Sequence, residues 1–208
     1  MEKYLYKGKD EKEILHQALE ELNLEEKDVF YKVSEEKSGL LKTKKKVVEI
    51  VKVKDVAELG KNLLENIVEN IGIESKIETK IRDNLISYNL YSNNNSILIG
   101  KRGRILNAIQ IYLRQAIYKK INIKTNIVID IENYKSKQLY FLIRDVKKIA
   151  REVTLSKVSV KLDPMNSYER REIHNALSKF DYIKTESEGE EPNRYVVIKY
   201  KDKNENEK

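Results

Sequence analysis

Two groupings of residues in this sequence could do chemistry on an anion. The first is Gly100-Lys101-Arg102-Gly103, preceded by Ile97-Leu98-Ile99 and followed by an amphipathic run that opens with Arg104. Glycine lets the backbone bend tightly and approach a phosphate with no Cβ in the way. The N–H groups that open the following helix point toward that phosphate, and Lys101 and Arg102 add positive charge. The alternative is a helix–helix turn with a solvated basic tip. The second grouping is Arg170 with His174, at i and i+4 of a helix and so on one face. Ile173, Leu177 and Phe180 mark the core side about a quarter turn away. Arg170 and His174 then lie at the rim, where one phosphate could bridge them, while Arg171 projects to solvent. The alternative pairs Arg170 with Glu169 or Glu188 and makes His174 a satisfied rim histidine.

Catalysis has little support. The two histidines, His16 and His174, are far apart in sequence. There is no His-Glu-x-x-His, no Walker A loop and no Gly-x-Ser-x-Gly. Carboxylates are plentiful, but no spacing singles out an acid/base pair. With no cysteine there is neither a disulfide framework nor a thiolate metal site. We expect no catalytic residue, no metal and no cofactor. The run Lys42, Lys44, Lys45, Lys46 reads as a solvated loop, or else as a secondary contact to RNA or a lipid surface. Most tyrosines read as packing, although Tyr88 and Tyr91 could stack on a base.

The charge distribution favours a polyanion partner for only part of the chain. The net charge is +7, but residues 1–52 carry 12 basic and 12 acidic residues. Residues 53–133 carry 12 and 9, and residues 134–208 carry 17 and 13. The whole excess therefore lies in the last three quarters, and the neutral N-terminal unit has another task. No apolar run approaches the roughly 18 residues of a membrane span. The N-terminus has no signal-peptide pattern, so a cytoplasmic location is expected.

The elements that must position these groups follow from periodicity. Residues 3–7 read as a strand. Asp10, with Glu13 three residues on, reads as a capping box opening a helix with Ile14, Leu15, Ala18, Leu19 and Leu22 on one face. Strands follow at 29–33 and 47–53, after a turn at Ser38-Gly39. About 52 residues is near the lower limit for independent stability, so this unit needs a partner surface. A helix at 56–71 carries Leu59, Leu63, Ile67 and Ile71. A hairpin through Asp83-Asn84 joins a strand with Ile77, Thr79 and Ile81 to one with Ile86, Tyr88 and Leu90. After the glycine loop comes a helix with Ile105, Ile109, Leu113, Ala116 and Ile117, then a strand at 126–132. The last stretch reads as a helix at 135–154, a strand at 158–162 and a break at Asp163-Pro164. A helix capped by Asn166 and Glu169 follows. Strands at 182–185 and 194–201 flank an acidic turn at 186–193.

The loop with its β-α surroundings has the physical logic of a KH module, which clamps about four backbone nucleotides. The whole chain resembles the Jag family, also called KhpB. The resemblance is strongest over Ile97 to Gly103 and Val128-Ile129-Asp130-Ile131-Glu132. It is equally strong over the run from Leu162-Asp163-Pro164-Met165-Asn166 to His174, and over Thr185-Glu186-Ser187-Glu188-Gly189-Glu190. It implies an α+β fold of three small α/β-sandwich domains in tandem. These are a β-α-β-β Jag N-terminal domain (1–53), a KH domain (54–133) and an Arg-x-x-x-His single-strand nucleic-acid-binding domain (134–202), with a charged tail at 203–208. It implies a bacterial RNA-binding protein that regulates after transcription and is linked to cell envelope growth and division. Its contacts would be Gly100, Lys101, Arg102, Gly103 and Arg104, and then Arg170, Arg171 and His174. Expected partners are single-stranded RNA, a small KH-only protein and a second copy in a homodimer. The other reading is a protein-interaction adaptor in peripheral contact with a membrane protein insertase. One departure stands out: where the family has a glycine-rich stretch, this chain reads Lys37-Ser38-Gly39-Leu40-Leu41.

Overall fold

The computed structural model describes residues 1–38 and 43–202. The Ser38-Gly39 turn, the stretch through Leu41, Lys42, the Lys44 side chain and the tail 203–208 lie outside the described residues. The α+β class holds: the described residues build three three-stranded sheets flanked by helices. It divides into two compact units, one spanning Met1–Tyr134 and one beginning at Lys135.

In the first unit, β1 (Tyr4–Gly8), β3 (Thr43–Lys52) and β2 (Val29–Ser38) form an antiparallel sheet with β3 central. Residue alternation sends Val48 and Ile50 toward Ile14 and Ala18 of α1 (Glu11–Leu22). Phe30 and Val51 instead join the core built around α2 (Val53–Asn70). Both faces of this small sheet are thus covered, which answers its need for a partner surface. Asp10 stands at the N-cap of α1, but its side chain makes no capping bond, so the expected box with Glu13 does not form. Packing governs the entry instead: a Cβ on Gly8 would sit 2.7 Å from Ile14 Cγ1.

The second sheet has the order β4 (Ser75–Arg82), β5 (Leu85–Ser92), β6 (Asn126–Ile131). Asp83 and Asn84 both adopt positive φ, 47° and 63°, as a two-residue hairpin requires. Strand β6 pairs parallel to β5, placing Ile86, Tyr88 and Leu90 beside Ile127, Ile129 and Ile131. The crossover between them holds α3 (Asn95–Ile99), the glycine loop and α4 (Arg104–Ile121).

Several expected faces shift. The buried stripe of α2 is Val53, Val56, Ala57, Gly60, Leu64 and Val68, while Leu59, Leu63 and Ile67 sit at its margin and Ile71 is exposed. The helix serves both sheets, so its apolar face is broader and centred elsewhere. Helix α4 buries Leu106, Ile109, Leu113, Ile117 and Ile121, leaving Ile105 outside. On β4 only Ile77 is buried, and Ile81 is 43% exposed. Tyr88 is fully buried and cannot stack on a base; its hydroxyl donates to Ala57 O at 2.9 Å. The outer edge of β6 is occupied by α4 side chains. Arg114 Nε donates to Ile127 O at 2.8 Å, and Ile129 N donates to Gln110 Oε1 at 3.1 Å. Those contacts take up ladder groups that an edge strand would otherwise offer to another chain.

In the second unit, α5 (Tyr134–Ser156) and α6 (Ser167–Leu177) cover one face of an antiparallel sheet ordered β7 (Val160–Lys161), β9 (Tyr195–Tyr200), β8 (Ile183–Glu188). Val146, Ala150 and Val153 meet Ile173, Leu177, Val196 and Ile198 in its core. Strand β7 is only two residues long, and β8 extends through Glu188 into the expected acidic turn. Carboxylates are tolerated there because Lys199 Nζ bonds both Glu186 and Glu188. Those lysine contacts, Lys199 first and then Lys184, hold the Glu186 carboxyl down to about 2.

A Cβ on Gly60 would stand 2.1 Å from Tyr88 Oη. Gly60→Ala should therefore cost about 1–3 kcal/mol through overpacking. Adding Tyr88→Phe should return part of that loss by removing the clashing oxygen. Denaturant unfolding of both variants is the check, and equal stability of wild type and Gly60→Ala would contradict the packing.

Candidate nucleic-acid interface

The glycine loop sits between α3 and α4 and bends through three positive φ angles. Gly100 has φ 68° and ψ 179°, a conformation open essentially to glycine alone. Arg102 has φ 54° and Gly103 φ 73°, both left-handed. Each glycine also lies against a neighbour. A Cβ on Gly100 would be 2.6 Å from Ile105 Cγ1, and one on Gly103 3.0 Å from Tyr134 Cε1. The loop is closed by the Gly103 N–H donating to Gly100 O at 3.2 Å. Gly103 is the N-cap of α4 and brings no side chain to cap it; Arg104 N–H, the first of the helix, donates to Lys101 O within the loop, and the loop lies at the positive end of the helix dipole. Lys101, Arg102 and Arg104 are exposed there. Ile105, expected in the core stripe, instead supports the loop, as does Tyr134, one residue before the expected start of the next helix.

Arg170 and His174 do share one face of α6, but at different depths and with partners already in place. Asn166 and Glu169 form the expected capping box: Glu169 N donates to Asn166 Oδ1 at 3.0 Å, and Asn166 N donates to Glu169 Oε2 at 3.1 Å. The cap occupies Glu169, and Lys199 occupies Glu188, so neither expected acid pairs with Arg170. Its partner is Glu191, with Nη2 2.8 Å from Oε1, while Nη1 donates to Met165 O at 2.8 Å. Arg170 is 7% exposed, whereas Arg171 is solvent-facing.

His174 is held on both sides of its ring, with Nδ1 2.6 Å from Thr185 Oγ1 and Nε2 3.0 Å from Ser187 Oγ. A hydroxyl can donate or accept, so neutral imidazole is satisfied in either tautomer. Burial, and then the charge of Arg170, lower its proton affinity below that of a free histidine. Thr185 and Ser187 alternate along β8 and therefore point to one face. That spacing was the signal in the sequence for this clamp. Glu191 carried no such signal, since its approach to Arg170 depends on the path of the β8–β9 turn. Among the described residues, no group of three or more His, Asp or Glu side chains is placed to hold a metal ion, and no helix is long and apolar enough to cross a membrane.

The lowered affinity of His174 has a pH consequence. The unfolded chain takes up a proton at about pH 6.5, whereas the folded chain does so only at lower pH. The stabilisation from neutral His174 is complete above about pH 6.5 and is lost as pH falls from there through the lower folded value. Comparing unfolding midpoints at neutral and mildly acidic pH should show a larger acid loss for the wild type than for His174→Gln. Parallel losses would remove His174 as the source.

Comparison with known proteins agrees with this architecture at both ends of the chain. Residues 6–54 match the family model of the Jag N-terminus, and residues 141–200 match that of the R-3-H domain. The chain is 32% identical over 200 residues to the RNA-binding protein KhpB of Bacillus subtilis, covering 93% of this chain and 96% of that protein. It is 40% identical over 119 residues to KhpB of Clostridium symbiosum, spanning only about half of that protein, 54%. It is 36% identical over 110 residues to KhpB of Lactiplantibacillus plantarum, covering 34% of that longer protein. Similarity over nearly the full length of both chains, with both terminal domain types in order, places this chain in the Jag/KhpB family.

Proposed function

We propose that the protein binds single-stranded RNA without catalysis, using the Gly100–Gly103 loop as its main backbone clamp. The observation that carries this reading is the loop itself. Three positive φ angles, a helix N-terminus with no side-chain cap and the exposed cations Lys101, Arg102 and Arg104 converge on one small surface. Phosphate fits that surface because N–H donors and positive charge meet where no Cβ intrudes. The relatives' names as RNA-binding proteins support the choice of RNA over other polyanions.

Arg170, Arg171 and His174 form the second contact in this reading. Arg171 meets the backbone directly. Arg170 and His174 hold α6 against β8 and the β8–β9 turn, so that a phosphate reaching Arg170 exchanges with the Glu191 carboxylate. The three-domain division at 53/54 and 133/134, and a regulatory role in envelope growth, belong to the same proposal and rest on the family resemblance.

Replacing Lys101 and Arg102 with Asp should lower affinity for a labelled single-stranded RNA tenfold or more at fixed salt. Two attractive charges become repulsive, and the slope of log affinity against log salt should fall by roughly 1.4. Both glycines and the loop's backbone remain. A folded double variant that binds like the wild type would sink the clamp. Arg170→Ala should weaken binding to all sequences alike, because phosphate contacts carry no base information.

A further inference from the structure

Helix α5 carries a second pattern that the loop and the Arg-x-x-x-His face do not use. Its core side is Val146, Ala150 and Val153. Lys137, Tyr140, Phe141, Arg144, Lys148 and Arg151 recur at three- and four-residue spacing on the opposite side, and all are exposed. At about 100° per residue they fall within an arc of about 100°. From Lys137 to Arg151 the stripe is about 21 Å long.

Its chemistry is unusual for a solvated helix face. Tyr140 and Phe141 are 68% and 49% exposed, large apolar rings with no core to fill. Their centroids lie 5.6 Å apart at 71°, and the Arg144 guanidinium sits 4.9 Å from the Phe141 centroid. Of the two carboxylates on α5, Asp145 is tied to Arg144 at 3.0 Å and Glu152 lies at the stripe's flank. Leu155, 85% exposed, falls in the same arc one turn beyond Arg151, but one aliphatic side chain at the helix end does not make the i, i+3, i+4, i+7 seam that a partner helix or a protein groove would need. Aromatic faces beside a line of cations are instead what an unpaired strand uses: bases stack on the rings and the backbone follows the charge.

The geometry points to the solvent face of α5 as a second track for single-stranded RNA, with Tyr140 and Phe141 stacking bases and Lys148 and Arg151 following phosphates. This rests on the proposal that the protein binds RNA. It extends the contact beyond the glycine loop and the Arg-x-x-x-His helix to a surface that needs no rearrangement.

The test uses the full chain and a labelled oligouridylate in fluorescence anisotropy across a salt series. It compares wild type, Tyr140→Ala/Phe141→Ala, Lys148→Glu/Arg151→Glu and the loop variant Lys101→Asp/Arg102→Asp. All substituted α5 positions are exposed, and circular dichroism and unfolding midpoints confirm folding. The aromatic variant should lose at least about fivefold in affinity with its salt slope unchanged, since no phosphate contact is removed. The charge variant should lose affinity and about 1.4 of its slope. Wild-type affinity and slope in both α5 variants, with the loop variant impaired, would overturn the track and leave the RNA reading standing. No binding by the wild type would overturn both. Unchanged RNA affinity together with lost binding to phosphatidylglycerol vesicles would overturn the track in favour of a membrane surface.

Discussion

Strands β5 and β6 run parallel, and a parallel pair cannot be closed by a tight turn. The chain must leave the end of one strand and cross over the sheet before it re-enters beside it. In this protein the crossover is α3, the glycine loop and α4. The loop thus lies where the chain passes from one helix to the next, and the N–H groups of Gly100, Gly103 and Arg104 close it onto Ser96, Gly100 and Lys101 carbonyls. Ile105 and Tyr134 lie against the two glycines, so the conformation is held from beneath by packing while its cations face outward. A hairpin between β5 and β6 would have left no place for it.

The same core supports the N-terminal sheet. A unit of this size buries too little surface to stand securely alone. Phe30 and Val51 point into the core around α2, and Lys3 Nζ donates to Ile121 O at 2.9 Å at the end of α4. The neutral N-terminal stretch and the basic stretch that follows are therefore one compact body, although their charge suggests two separate tasks. Tyr88 is central to that body: its buried hydroxyl bonds α2, and Gly60 exists to make room for it.

In the second unit the constraint is polar. Arg170 and His174 are drawn inward, so every polar atom they carry below the surface requires a partner. Met165 O, Glu191, Thr185 and Ser187 supply partners and in doing so tie α6 to β8 and the β8–β9 turn. The Arg-x-x-x-His pair is thus a structural clamp, with Arg171 exposed beside it.

The sequence by itself determined the element order, the α+β class, the hairpin at Asp83-Asn84, the Asn166–Glu169 cap and the two glycine positions. These depend on short-range chemistry: alternation, capping and backbone freedom act within a few residues. It misplaced the faces of α2 and α4 and read Tyr88 as a stacking candidate. It also gave Arg170 the wrong carboxylate and closed β8 too early. Each of these depends on what another segment brings alongside. The buried side of α2 is decided by two sheets at once, and Glu188 can lie in a strand only because Lys199 is across from it. Glu191 reaches Arg170 only through the course of a turn. Periodicity names a residue's face, but depth and partner come from distant segments, and those only the tertiary structure decided.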